Sequence, residues 1–311
     1  MTASVPVAII GSINADVTAY AQVSPKPGET ILGTSFALGL GGKGANQAVA
    51  VARAGGQSVM VGCIGQDAFG EVVARELEEA GVDTRFTTQV EDSTGIAHIR
   101  VDEAGENSII VVMGANTSLA PDAIDTALAE LPAGIVLTQL EITEEVSTHS
   151  ITRAAAAGWR VVLDPAPARA IPEHLWASID IVTPNEHEAS IYSGIEVHDT
   201  ATAIQAGAWF LQRGVRSALI TLADAGAVLV DSEGTTEFAA HAVHAVDTTA
   251  AGDTFAGYLG AALARGASIR DAVTIAMAGG ALAVTKAGAS SSIPFAADVD
   301  AFLASAGSPV Q

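Results

Sequence analysis

The residues best suited to chemistry lie between Asp247 and Asp253, in the run Asp-Thr-Thr-Ala-Ala-Gly-Asp that leads into the apolar stretch Thr254 to Leu263. Small residues and a glycine before a helical pattern expose backbone N–H groups at a helix mouth, where the dipole favours negative charge. A carboxylate, Asp253, stands at the same mouth. An anion hole beside a base suits phosphoryl transfer to a hydroxyl: amides hold the charge developing on the phosphate while the aspartate orients and deprotonates the nucleophile. An acidic helix cap after a small-residue loop would give the same string, so this segment alone leaves both readings open.

Two further segments carry chemistry. Gly39-Leu40-Gly41-Gly42-Lys43-Gly44 satisfies GxGxxG after the strand-like Thr34 to Leu38, which raises a dinucleotide-binding reading. Its strand is not the first of the chain, and Lys43 would crowd a pyrophosphate turn. Nor is it a P-loop, because Gly44 follows Lys43 where Ser or Thr is required. Glycines that admit a small ligand to the backbone, with Lys43 and Asn46 reaching its hydroxyls, suit the residues better. In Thr183-Pro184-Asn185-Glu186-His187-Glu188, Asn185 and Glu188 share one helical face and could order water around a hydrated Mg²⁺, or form a capping box. The 7 histidines fall into no zinc spacing; His187 reads as surface, and His241 and His244 as solvated strand residues.

These residues need elements to hold them. Strand-like runs at Val7 to Ile10, Val59 to Ile64, Ile135 to Thr138, Arg160 to Leu163, Ile179 to Thr183 and Ala218 to Thr221 alternate with helical patterns. The helices are expected at Ala45 to Ala54, Phe69 to Ala80, Glu144 to Ala157, Thr200 to Gln212, Asp253 to Arg265 and Ile269 to Val284. Such alternation predicts an α/β protein: a three-layer α/β/α, Rossmann-like fold around a mostly parallel sheet, with sites at the carboxyl ends of strands. Val17 to Phe36, with Pro25, Pro27 and Gly28, and Thr94 to Val112, with its turn at Glu103 to Asn107, break the pattern. Paired, they would form a small β-sheet lid. The expected division is an α/β domain of 1–15, 37–93 and 113–311 with a lid of 16–36 and 94–112.

The chain of 311 residues, 49% hydrophobic and 16% charged, is no disordered segment. Its formal net charge of -21 repels nucleic acid and anionic membrane, so neither is an expected partner. Cys63 is the only cysteine, which excludes an internal disulfide, fits a reducing compartment and reads as a buried structural thiol. Met1 to Pro6 shows no basic, apolar leader, and Ala272 to Thr285 is too short to span a membrane. A cytoplasmic protein is expected.

Together, Gly11-Ser12-Ile13-Asn14-Ala15-Asp16, Pro27-Gly28-Glu29-Thr30, Gly41 to Ala48 (GGKGANQA), Asn185 with Glu188, and Asp247 to Asp253 resemble the PfkB carbohydrate kinase family in order and spacing. The resemblance covers essentially the whole chain. Asp164-Pro165-Ala166-Pro167-Ala168-Arg169 and Thr221 to Gly226 strengthen it, and GSINAD with GGKGANQA is most similar to the family's ribose-phosphorylating members. It implies ATP-dependent phosphorylation of D-ribose at O5. A kinase for 2-deoxyribose, a nucleoside or another furanose is the alternative, with an NAD(P)-dependent oxidoreductase or a silent sugar-binding regulator outside that class.

By the same resemblance, Asn14, Asp16, Gly42, Lys43, Asn46 and Glu141 would bind the sugar, with Asp253 as base. The amides of Ala250, Ala251, Gly252 and Asp253 would form the anion hole. Asn185, Gly252 and the loop Thr221, Leu222, Ala223, Asp224, Ala225 and Gly226 would hold ATP, with Glu188 on Mg²⁺ through water. An activating K⁺ would bind, mainly through backbone oxygens, at Asp247, Thr249, Ala283, Lys286, Gly288 and Ser292. A homodimer through the lid is also implied. Ala256 and Tyr258 depart from the family pattern after the aspartate and are expected to alter packing near sugar or nucleotide.

Overall fold

The computed structural model describes residues 4–306; the expected absence of a leader at Met1 to Ala3, and the end of the α/β domain at 307–311, lie outside the described residues. In chain order the strands are β1 (Pro6–Ile10), β2 (Asn14–Tyr20), β3 (Ser35–Gly41), β4 (Gln57–Gly65), β5 (Asp83–Val90), β6 (Gly95–Val101), β7 (Asn107–Val112), β8 (Ile135–Thr138), β9 (Arg160–Leu163), β10 (Ile181–Val182), β11 (Ser217–Thr221), β12 (Ala227–Asp231) and β13 (Gly234–Phe238). The helices are α1 (Lys43–Arg53), α2 (Ala68–Glu79), α3 (Pro121–Glu130), α4 (Glu144–Ala156), α5 (Glu186–Ser193), α6 (Thr200–Gln212), α7 (Ala251–Ala264), α8 (Ile269–Ala283) and α9 (Ala296–Ala306).

The large sheet runs β13-β12-β11-β10-β9-β8-β1-β4-β5. It is parallel from β5 to β11 and antiparallel only through β12 and β13. Its central strands are apolar throughout because both faces are covered. Along β1, Val7 and Ile9 enter the core shared with α1, α7 and α8, while Ala8 and Ile10 enter the one shared with α3 and α4. Each such fully buried aliphatic side chain contributes roughly 1.5–3 kcal/mol.

Helices α1 and α7 cross unusually closely. A Cβ on Gly257 would stand 2.4 Å from the Ala50 Cβ and 2.8 Å from the Gln47 carbonyl. This glycine lets the middle of α7 lie against the middle of α1; any larger side chain would push them apart.

The interrupting segments pair as expected, into a sheet ordered β3-β2-β6-β7. The expected boundaries at 15/16 and 36/37 fall inside β2 and β3, which pair with each other from Asn14 with Gly41 to Tyr20 with Ser35. The hairpin turn lies where the sequence put it, with Gly105 at φ 79°. No helix among the described residues is long and apolar enough to cross a membrane. Cys63 is buried, and burial pushes its thiol up to about 11.

Candidate active site

Because β1, β8, β9, β10 and β11 are parallel neighbours, the segments after them share one edge of the sheet. These segments hold Ser12 and Asn14, Gln139 and Glu141, Asp164, Asn185, and the Thr221 to Gly226 loop. Helix α7 starts at the same edge. Its cap, Ala250, is left-handed (φ 58°), and its carbonyl accepts from both the amide and the hydroxyl of Thr254 at 2.8 Å. The Ala251 amide is taken by the Thr248 carbonyl at 3.3 Å. The amides of Gly252 and Asp253 have no acceptor among the described residues, and a Cβ on Gly252 would meet only open space. Of the four expected amides, then, that of Ala251 is engaged within the chain, while those of Ala250, Gly252 and Asp253 have no acceptor among the described residues.

The Asp253 side chain is 5% exposed and fully engaged. Asn46 donates to its Oδ2 at 3.0 Å, Gln47 to its Oδ1 at 3.2 Å, and the Lys43 ammonium lies 3.9 Å away. Lys43 also reaches Asp164 at 3.4 Å, and its amide donates to Glu141 at 3.0 Å. Ser12 donates to the same Glu141 oxygen at 2.6 Å. The Asn46 Oδ1 is buried without a partner among the described residues, an acceptor suited to a ligand hydroxyl.

The glycines of GGKG stand where the chain passes close to itself: a Cβ on Gly41 would overlap the Asp16 carboxylate, on Gly42 (φ 86°) it would stand 2.8 Å from the Asn14 amide nitrogen, and on Gly44 2.6 Å from the Ser12 carbonyl oxygen. Gly39 to Gly41 belong to β3 of the small sheet, so the dinucleotide reading lacks the βαβ unit it needs.

Asn14 is buried, and its Oδ1 accepts from Asn116 at 2.8 Å. Asn116 also bonds the amide and carbonyl of Ile13 and the carbonyl of Met113, so it joins the end of β1 to the end of the small sheet. Nothing in its residue type or spacing marks it out from sequence. Gln139 shows a weak sequence signal, its place at the carboxyl end of β8.

Acid dominates the electrostatics. Burial first, then Glu141 and Asp253, push the Asp16 carboxyl up to about 7. Burial likewise raises Asp164, against the pull of Lys43. Burial works against the charge on Lys43, but Asp164, Asp253, Glu141 and Glu188 together hold its ammonium protonated well above the usual lysine range.

Asn185 and Glu188 form the capping box the sequence allowed, with reciprocal bonds of 2.9 and 3.0 Å at the start of α5. Asn185 bridges Thr221, whose amide donates to the Pro184 carbonyl at 3.0 Å. This brings α5 beside the Thr221 to Gly226 loop, where Ala223 (φ 44°) and Gly226 (φ 102°) are left-handed. His187 is exposed as expected; His241 and His244 lie in irregular chain rather than a strand, with His241 against the Phe302 ring.

Of the residues assigned to K⁺, the structure brings Asp247, Thr249 and Gly288 together. One Asp247 oxygen accepts from the Thr249 amide and hydroxyl and the other from the Gly288 amide at 2.9 Å. Burial raises this carboxyl, but those hydrogen bonds outweigh it and hold it below its ordinary value. Lys286 bonds back to Ala283, and Ser292 to Ala289. Tyr258 does not crowd sugar or nucleotide: its ring packs on Gly279 of α8 and its hydroxyl donates to the Pro294 carbonyl at 2.8 Å.

A buried carboxylate beside open amides, at the carboxyl edge of a parallel sheet and under a second small sheet, defines an α/β enzyme for a small hydroxylated or anionic ligand. The chain belongs to the pfkB family of carbohydrate kinases, whose model matches residues 6–296. It is 39% identical over 289 residues to a ribokinase of Haemophilus influenzae, covering 92% of this chain and 94% of that one. It is 35% identical to a deoxyribokinase of Salmonella typhi over 292 residues, covering 93% and 95%. The structure of Arabidopsis thaliana ribokinase complexed with ribose and ATP superposes with a TM-score of 0.90 at 33% identity, over 97% of this chain and 99% of that one.

Proposed function

We propose that this chain transfers the γ-phosphoryl group of ATP to the O5 hydroxyl of D-ribose, giving D-ribose 5-phosphate and ADP. The observation that carries the reading is the buried Asp253 carboxylate beside the open Gly252 amide. In this reading Asp253 takes the O5 proton while the Gly252 and Asp253 amides meet the charge developing on the phosphoryl oxygens. Asn14, Asp16, Lys43, Asn46 and Glu141 bind the sugar; the unpartnered Asn46 Oδ1 and the partly buried Asp16 carboxyl suit its hydroxyls. Asn185 and the Thr221 to Gly226 loop hold the nucleotide. The 36–39% identity to several ribokinases supports ribose; the deoxyribokinase relative supports 2-deoxyribose as the second reading.

Mg²⁺ would neutralise phosphate charge. Glu188 fits it through water, because its capping bond uses one carboxylate oxygen and its charge is felt at Lys43 and Asp164. K⁺ fits only through main-chain oxygens at Asp247, both of whose carboxylate oxygens are engaged. The small sheet acts as the lid over the sugar and pairs two chains, and the reaction runs in the cytoplasm, where the lone buried thiol stays reduced.

ADP release measured with ribose, 2-deoxyribose and adenosine, in K⁺ and then Na⁺ at fixed ionic strength, tests this. A missing hydroxyl leaves buried partners unpaired at about 1–3 kcal/mol, so ribose should win by roughly 5- to 150-fold in kcat/KM, with faster turnover in K⁺. Faster turnover of 2-deoxyribose or adenosine would replace ribose as the substrate.

A further inference from the structure

Gln47 is 0% exposed, and every hydrogen bond of its side chain goes to Asp253, Asp164 or Gln139. Its Nε2 donates to Asp253 Oδ1 at 3.2 Å and to Asp164 Oδ2 at 3.0 Å. Its Oε1 accepts from the Gln139 Nε2 at the end of β8. The carboxamide therefore cannot be turned over: its donor end faces two carboxylates and its acceptor end faces a donor. The amide has two hydrogens, and each carboxylate receives one.

We propose that Gln47, pinned by Gln139, is a positioning residue for phosphoryl transfer, spanning Asp253 and Asp164 so that the two carboxylates stay apart and Asp253 keeps one fixed orientation beside the Gly252 amide. This rests on Asp253 being the base. Asn46 fixes the other Asp253 oxygen and carries an acceptor toward the sugar; Gln47 has no free atom for a ligand and acts only through Asp253. The charged groups facing the pair are Asp16 on β2, Lys43 on α1, Glu141 after β8, Asp164 after β9 and Glu188 on α5. Lys43 is the one cation among them. A neutral double donor spans the two acids without adding a second cation to the site.

The test uses Gln47→Glu and Gln47→Met, with Asp253→Asn in parallel, each checked by thermal unfolding. Gln47→Glu keeps the shape but exchanges the double donor for a third carboxylate. That favours protonated Asp253, so the acidic limb of the kcat profile should move to higher pH by about one unit. Its kcat at neutral pH should fall on the order of 10- to 100-fold, with KM for ATP unchanged. Gln47→Met, which removes the donors without adding charge, should lower kcat by on the order of 10-fold with the limb in place. If kcat and pH limb stay at wild type in Gln47→Glu while Asp253→Asn is inactive, the positioning role is wrong and the base stands. If Asp253→Asn turns over normally, the base reading itself has failed. In Gln47→Glu, a loss of thermal stability with kcat falling, KM for ATP rising and no movement of the limb would make Gln47 a packing residue only.

Discussion

At the residue scale, Asp16 shows how a site can oppose its own fold. Its carboxyl moves from 3.8 toward about 7 on folding, chiefly through burial. A raised acid pKa means stability is complete below 3.8 and is lost as pH rises through 7, because the folded state resists ionisation that the unfolded chain accepts freely. Asp16→Asn should therefore stabilise the ligand-free protein by an amount that grows from pH 5 to pH 7 and then levels off, read by thermal unfolding across that range. Turnover of ribose should collapse in the same variant. A pH-independent gain would remove the burial argument. The position of Asp16 was legible from the GSINAD run, as were Lys43, Asn46 and Asp253 from theirs. Gln47 and Asn116 were not, because their importance lies in what they touch across 206 and 102 residues of chain, and residue type alone carries no such information.

At the element scale, α5 is both a cap and a candidate metal wall. Gln serves a capping box as well as Glu does, so Glu188→Gln should leave the melting temperature within about a degree of wild type while raising the Mg²⁺ concentration needed for half-maximal rate. An unchanged Mg²⁺ requirement would restrict Glu188 to the capping box. Elements with strong apolar periodicity were legible to within a residue or two, β8, β9 and α6 to the residue. Others were not: α3 opens on Pro121 with a mixed face, β5 is half exposed, and the β12–β13 hairpin at the sheet edge follows a loop whose residues read as nucleotide chemistry. The span read as a strand from Ile179 to Thr183 shrinks to Ile181–Val182 because a 3-10 turn over Glu173–Ser178 precedes it.

At the scale of the whole molecule, the small sheet leaves apolar surface in water. Phe36 on β3 and Ile109, Ile110, Val111 and Val112 on β7, the two edge strands of that sheet, are each about half exposed or more, apolar surface of the kind that a partner covers. On the proposed pairing of two chains through this sheet, the wild type should sediment as a dimer and Ile110→Asp as a monomer; equal sedimentation of the two would remove Ile110 from the contact. The register adds a last consequence. Asp16 pairs with Ala97, and Ala97 with Val111, so the carboxylate proposed to bind the sugar projects from the same face of the small sheet as Val111 of its edge strand. If that sheet closes over the sugar as proposed, recognition and closure become a single movement, and a wrong sugar would leave the shutter ajar and admit water to a primed nucleotide. The characteristic error of such a device is leakage, ADP formed with no sugar phosphate to match, and its fidelity is the ratio between the two.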